Sequence, residues 1–132
     1  MAFKLKDGER VRLRPVAIAS ATVVPAGDFI GMTSGLAVDA VAATTAIAWC
    51  PAGSADGETV CYATVGNDFT LTGTGDAVFA VDQKGTEVDL TDTQLIDVGS
   101  SSTDVLKIGI GTDSGVVDST DNIEVRINKP LF

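Results

Sequence analysis

Two runs near the C-terminal end of the chain alternate with a period of two, and this constrains the fold more than any other feature of the sequence. In residues 122–128, Ile123, Val125 and Ile127 fall on one side and Glu124 and Arg126 on the other. In residues 105–111, Leu106, Ile108 and Ile110 oppose Lys107, Gly109 and Gly111. Successive side chains of a strand point to opposite faces, so each run has one apolar face that needs a core and one that can meet water. The stretch between them, 112–121, is rich in Asp, Ser, Thr and Gly, as a connecting loop should be. The pattern predicts an antiparallel hairpin, with the rest of the chain supplying strands that close over its apolar face.

The remaining sequence divides into short apolar runs punctuated by turns. Phe3 and Leu5 oppose Lys4 and Lys6, then Val11 and Leu13 oppose Arg10, Arg12 and Arg14, with Asp7-Gly8 as a turn signal and Pro15 ending the second run. Further strands are expected at 29–32, 36–40, 46–50, 58–65, 69–72, 77–82 and 86–90, the last with Val88 and Leu90 inward. Residues 42–48 are Ala-rich, which favours helix, but Thr44, Thr45 and Ile47 are β-branched and the run enters Trp49 without a cap. Residues 91–94 have the form of a capping box for one short helical turn, and 99–103 reads as a flexible loop. Several strands at spacings of roughly 8–12 residues argue for a barrel or a sandwich. A faint echo also links the two halves through Gly27-Asp28 and Gly75-Asp76, either as two passes of a similar strand order or as two common turns.

Charge is distributed unevenly. The net charge is −9, yet residues 1–14 hold five basic groups against Asp7 and Glu9, a local +3. The other residues carry four basic and sixteen acidic groups, or −12. An acidic body repels phosphate backbones, so nucleic acid is not an expected partner. No apolar run reaches the roughly 18–20 residues that span a bilayer, and the first residues lack the apolar stretch of a signal peptide, so neither a membrane nor secretion is expected. Cys50 and Cys61 flank ten residues rich in turn formers. They read either as a bridge across a hairpin or as two small buried thiols in a reducing compartment.

The inventory of chemical groups is short. There is no histidine, which removes the usual general base, the Ser–His and Cys–His pairs and the commonest zinc ligand. Two cysteines make neither a four-ligand zinc site nor a Cys-x-x-Cys pair, and no Gly-rich phosphate loop is present. Most aspartates sit beside Gly, Ser or Thr, where they serve turn geometry. Asp113, Asp118 and Asp121 form either a calcium-chelating loop or a solvated acidic one. The expectation is a non-enzyme with no cofactor and no metal.

The basic segment 1–15 is then the leading candidate site, as an arm separate from a single β domain over 16–132. Its apolar Phe3, Leu5, Val11 and Leu13 would lie against a partner while Lys4, Lys6, Arg10, Arg12 and Arg14 meet an acidic surface. The plainer reading is an ordinary first hairpin with a solvated basic face. The sparse aromatic content and the Ala/Val-rich apolar set predict a thin core, and hence association with other copies or a partner.

The order Gly27-Asp28-Phe-Ile, Gly35-Leu-Ala-Val, Ile47-Ala-Trp49 and Asp56-Gly-Glu-Thr-Val-Cys-Tyr62 resembles tailed-bacteriophage head decoration (capsid cement) proteins. Residues 75–82, 85–91 and 123–127 add to the likeness, which covers roughly 20–128 as a pattern of turns and short strands. The resemblance implies an all-β fold, a small β-barrel or β-tulip-like domain of short antiparallel strands with an extended N-terminal arm. It implies a homotrimer on the capsid exterior, made in the host cytoplasm, that clamps neighbouring subunits of the major capsid protein through an arm such as residues 2–15. A competing expectation is a small β-sandwich module for carbohydrate or a host surface. Such modules display exposed aromatic platforms, whereas Trp49 and Tyr62 both sit in apolar strands and read as core.

Overall fold

A computed structural model of the chain describes residues 3–8, 11–78, 80–91, 95–109 and 123–132. The fold is all-β: eleven strands and a single 3-10 turn make up its regular structure among these residues. The strands are β1 (Lys4–Gly8), β2 (Leu13–Ala17), β3 (Asp28–Thr33), β4 (Leu36–Asp39), β5 (Ala48–Cys50), β6 (Val60–Thr64), β7 (Phe69–Gly75), β8 (Glu87–Leu90), β9 (Leu95–Asp97), β10 (Leu106–Ile108) and β11 (Ile123–Ile127).

The C-terminal hairpin is present: Leu106 pairs with Ile127, Lys107 with Arg126 and Ile108 with Val125. Its apolar face lies inside a closed barrel. The sheet runs β7-β11-β10-β8-β9 and returns to β7, because β9 pairs with β7 in parallel through Thr74–Leu95 and Gly75–Ile96. Closure leaves no free edge inside the ring. β1 adds to the first half of β7, pairing Leu5 with Leu71 and Gly8 with Phe69 across a bulge.

Beside the barrel lies a three-stranded sheet, β4-β3-β5, and beyond that a two-stranded ribbon, β2-β6. The middle sheet is buried on both faces. Phe29, Ile47 and Trp49 join the barrel core, with Phe69, Leu71, Ile123 and Val125. Ile30, Ala48 and Cys50 point the other way, into a second core shared with Val16, Cys61 and Ala63 of the ribbon. This explains the unbroken apolar run at residues 46–50. A strand covered on both sides has no polar face to alternate with, which also removes the helical option for that stretch.

Several expectations are corrected. Pro15 does not end a strand: it sits in the middle of β2, opposite Tyr62. Proline is tolerated there because a two-stranded ribbon has edges on which the missing N–H costs no ladder bond. β1 and β2 do not form a hairpin, since one joins the barrel sheet and the other the ribbon. The strand expected at 77–82 is absent from the described residues of that stretch, and Val81–Gln83 forms the 3-10 turn. Gln83 fixes that turn, its Oε1 accepting from the Ala80 N–H and its Nε2 donating to the Val98 carbonyl. The echo between the halves does not become a repeated unit, because Asp28 opens β3 whereas Gly75 closes β7. The end of the capping box, the loop at 112–121 and its Asp113, Asp118 and Asp121 lie outside the described residues.

Candidate functional site

The structure draws the basic segment into the fold. Phe3 is only 2% exposed, its ring 4.4 Å from that of Phe29, and its N–H donates to the Gly27 carbonyl. The same carbonyl accepts from the Trp49 indole N–H at 2.9 Å. Phe3 also lies over Gly73, where a Cβ would run into the ring. Phe3 is therefore a core residue, not a docking one. Lys6 forms an ion pair with Glu124, and Val11 packs against the barrel core. Arg14 stacks on the Phe132 ring, 4.4 Å from its centroid. The boundary expected at residue 15 coincides with no break in packing, since β2 runs through it. Arg10 lies outside the described residues. That leaves Lys4, Leu5, Arg12 and Leu13 as exposed members of the expected set.

Leu13 acquires neighbours that its own stretch of sequence does not reveal. In the β2–β6 register Leu13 lies opposite Thr64, Pro15 opposite Tyr62 and Ala17 opposite Val60. Pairs in register share a face, so the outer side of the ribbon carries Leu13, Pro15, Ala17, Val60 and Tyr62. Leu13 is 47% exposed, Tyr62 56% and Val60 38%. Thr64 is the exception at this face: it is buried beside β5, its Oγ1 accepting from the Trp49 N–H. Scattered exposed apolar side chains are ordinary, but five placed together by register form a patch. Arg12 immediately precedes the strand, whereas Arg14 belongs to its opposite face, where it stacks on Phe132. Tyr62 thus overturns the expectation that both large aromatics are core, whereas Trp49 is buried as expected. Burial alternates along β6 with Cys61 and Ala63 inward, and that alternation puts Tyr62 outward.

A second feature is a cleft of about 320 Å³ beside β3 and β4, lined by Gly31, Met32, Val38, Asp39, Thr44 and Leu131 among others. Burial raises the Asp39 carboxyl to about 7, aided by the charge of Asp28 and a hydrogen bond to it. The two carboxyls meet directly rather than standing apart around a substrate. Asp28 is wholly buried, so only Asp39 meets the cleft. Glycoside hydrolysis needs two accessible carboxyl groups at least about 5 Å apart, which this arrangement does not supply.

The aspartate most heavily engaged is Asp89. Its carboxylate accepts from the backbone N–H groups of Ser102, Thr103 and Asp104 and from the Ser100 hydroxyl, at 2.7–3.0 Å. Burial alone would raise its pKa, but these donors outweigh it and hold the group well below the usual carboxylate range. The stretch expected to be a flexible loop is instead folded around this one anion.

The described residues therefore define a small all-β barrel protein with an exposed apolar ribbon face. No protein-family model, curated protein or solved structure matches the chain.

Proposed function

We propose that the chain is a virion structural protein that adheres to the outside of a phage capsid and stabilises contacts between major capsid subunits. The observation that carries this reading is the ribbon patch of Leu13, Pro15, Ala17, Val60 and Tyr62, with Arg12 at the end where the strand begins. Such a face suits a partner surface with an apolar centre and an acidic rim. The apolar part supplies affinity and Arg12 contributes orientation and approach rate. A homotrimer belongs to the same proposal. Three modest patches acting together on a shell that repeats one site many times bind far more tightly than one. The pattern of turns and strands that resembles capsid cement proteins supports the choice of capsid as partner.

The test uses heads assembled from the major capsid protein of the same genome. Tyr62→Ser with Leu13→Ser should lower binding at least tenfold, with circular dichroism and thermal midpoint little changed, because both residues are exposed. Arg12→Glu should weaken binding most at low salt, where charges are least screened. Full binding by these variants would sink the ribbon assignment, and no binding by the wild-type chain would sink the capsid reading. Sedimentation should give a trimer.

A second reading has one observation in its favour. Tyr62 is more than half exposed on an apolar strip, as a sugar-stacking platform would be. A carbohydrate- or host-surface module should bind on a glycan array and lose that binding with Tyr62→Ala.

A further inference from the structure

The ribbon is held to the middle sheet unequally along its two edges. On one side Ile18 bridges to Ala37, and the Ala19 N–H donates to the Ala37 carbonyl. On the other side β6 runs beside β5 with no backbone ladder between them: β5 pairs with β3 and β6 pairs with β2. What crosses this seam involves side chains. The Trp49 N–H donates to Thr64 Oγ1, and the Tyr62 N–H donates to Cys50 Sγ. At the same seam the Cys50 thiol donates to Cys61 Sγ. Both cysteines are reduced and buried, at 0% and 1% exposure.

We infer that Cys50 and Cys61 are a disulfide-forming site, and that oxidation by a small-molecule disulfide closes a covalent staple between β5 and β6. The geometry supplies the need for reach: two sulfurs already in hydrogen-bond contact require little backbone movement to bond. As donor, Cys50 keeps its proton and is pushed up to about 12, chiefly by burial and then by the neighbouring Cys61. Cys61, the acceptor, is likewise raised by burial and eased by that same bond.

The thiolate of one cysteine attacks one sulfur of the oxidant, forming a mixed disulfide and releasing one small thiol. The other cysteine then loses its proton and attacks the protein sulfur of that adduct, breaking the mixed disulfide and releasing the second thiol. Two electrons and two protons leave the protein, and the oxidant is reduced to two thiols. Since both sulfurs are buried, the oxidant enters only when the seam opens. The reaction is therefore slow in native buffer and accelerates in sub-denaturing urea. This inference is independent of the ribbon's partner.

The experiment takes the full reduced chain, incubates it with oxidised glutathione, and reads intact mass, a non-reducing peptide map and the thermal midpoint. The expected product has lost two hydrogens, carries no glutathione, links the peptides containing Cys50 and Cys61, and melts roughly 10 °C higher. A reductant should return the original midpoint. Cys50→Ser should stop at the glutathione adduct on Cys61. A wild-type product that keeps its adduct, that cross-links between chains, or that closes the bond without a rise in midpoint would overturn the inference. The wild-type measurements decide the matter even if the variant does not fold.

Discussion

Two aspartates respond to pH in opposite senses. Asp39 has its carboxyl raised from an ordinary 3.8 to about 7 by burial and by Asp28. The folded state therefore holds a proton that the unfolded state has released. Its contribution is fully present below pH 4 and is lost as pH rises towards 7. Asp89 is lowered, so the unfolded state takes up a proton first, and its contribution is present at neutral pH and lost as pH falls below the ordinary carboxylate range. Stability should accordingly peak in mildly acidic buffer. Urea melts across pH should show Asp39→Asn removing the decline towards pH 8 and raising stability there by about 1 kcal/mol, a value reduced for partial solvent screening. Asp89→Asn should cost about 2 kcal/mol at pH 7, because an amide cannot accept from four donors as a carboxylate does, and should flatten the acid side. Neither residue stands out in the sequence. Both lie in short Asp-containing runs that resemble any turn-flanking segment, and only the fold brings Asp28 to Asp39 or the 100–104 loop to Asp89.

Among the elements, alternating strands were legible in both position and inward face, whereas the doubly covered strands at 29–32 and 46–50 were legible in position alone. β10 and β11 alternate along their length, so their pairing and inward faces could be read directly from Leu106, Ile108, Ile123, Val125 and Ile127. β8 was equally plain through Val88 and Leu90. The hairpin between β3 and β4 follows from Ser34 and Gly35, whose φ angles of 51° and 79° suit a tight two-residue connection. By contrast, β2 was masked by Pro15, and the ribbon face could not be read because half of it comes from β6, far along the chain. The candidate site was therefore half legible: Arg12 and Leu13 were on the expected segment, whereas Val60 and Tyr62 came only with the register. β1 sets a further prediction. Removing residues 1–15 takes Phe3 from the core, Lys6 from Glu124 and most of β2 from β6, so the remainder should lose cooperative unfolding by calorimetry rather than persist as a folded domain. Gly73→Ala tests the same contact more gently. The Phe3 ring must shift to admit the methyl group, at a cost of about 1–3 kcal/mol in denaturant melts.

At the level of the whole molecule, the three layers are held in series by the segments at either end of the described chain. Residues 3–17 pass from the barrel sheet to the ribbon. At the other end, the Ile47 N–H donates to the Lys129 carbonyl, the Leu131 N–H donates to the Ile47 carbonyl, and Phe132 reaches the second core and the Arg14 guanidinium. Removing residues 130–132 should loosen the ribbon before the barrel, read as faster amide exchange in β2 and β6 than in β7 and β11. The pairing of β1 with β7 has a consequence for biosynthesis. The ribosome delivers Phe3 long before Leu71 and Gly73 exist to receive it, and the ring of strands closes only after β11 has been translated. The nascent chain must therefore carry its first apolar side chains unsheltered through most of elongation, making chaperone supply and growth temperature the levers that decide its yield.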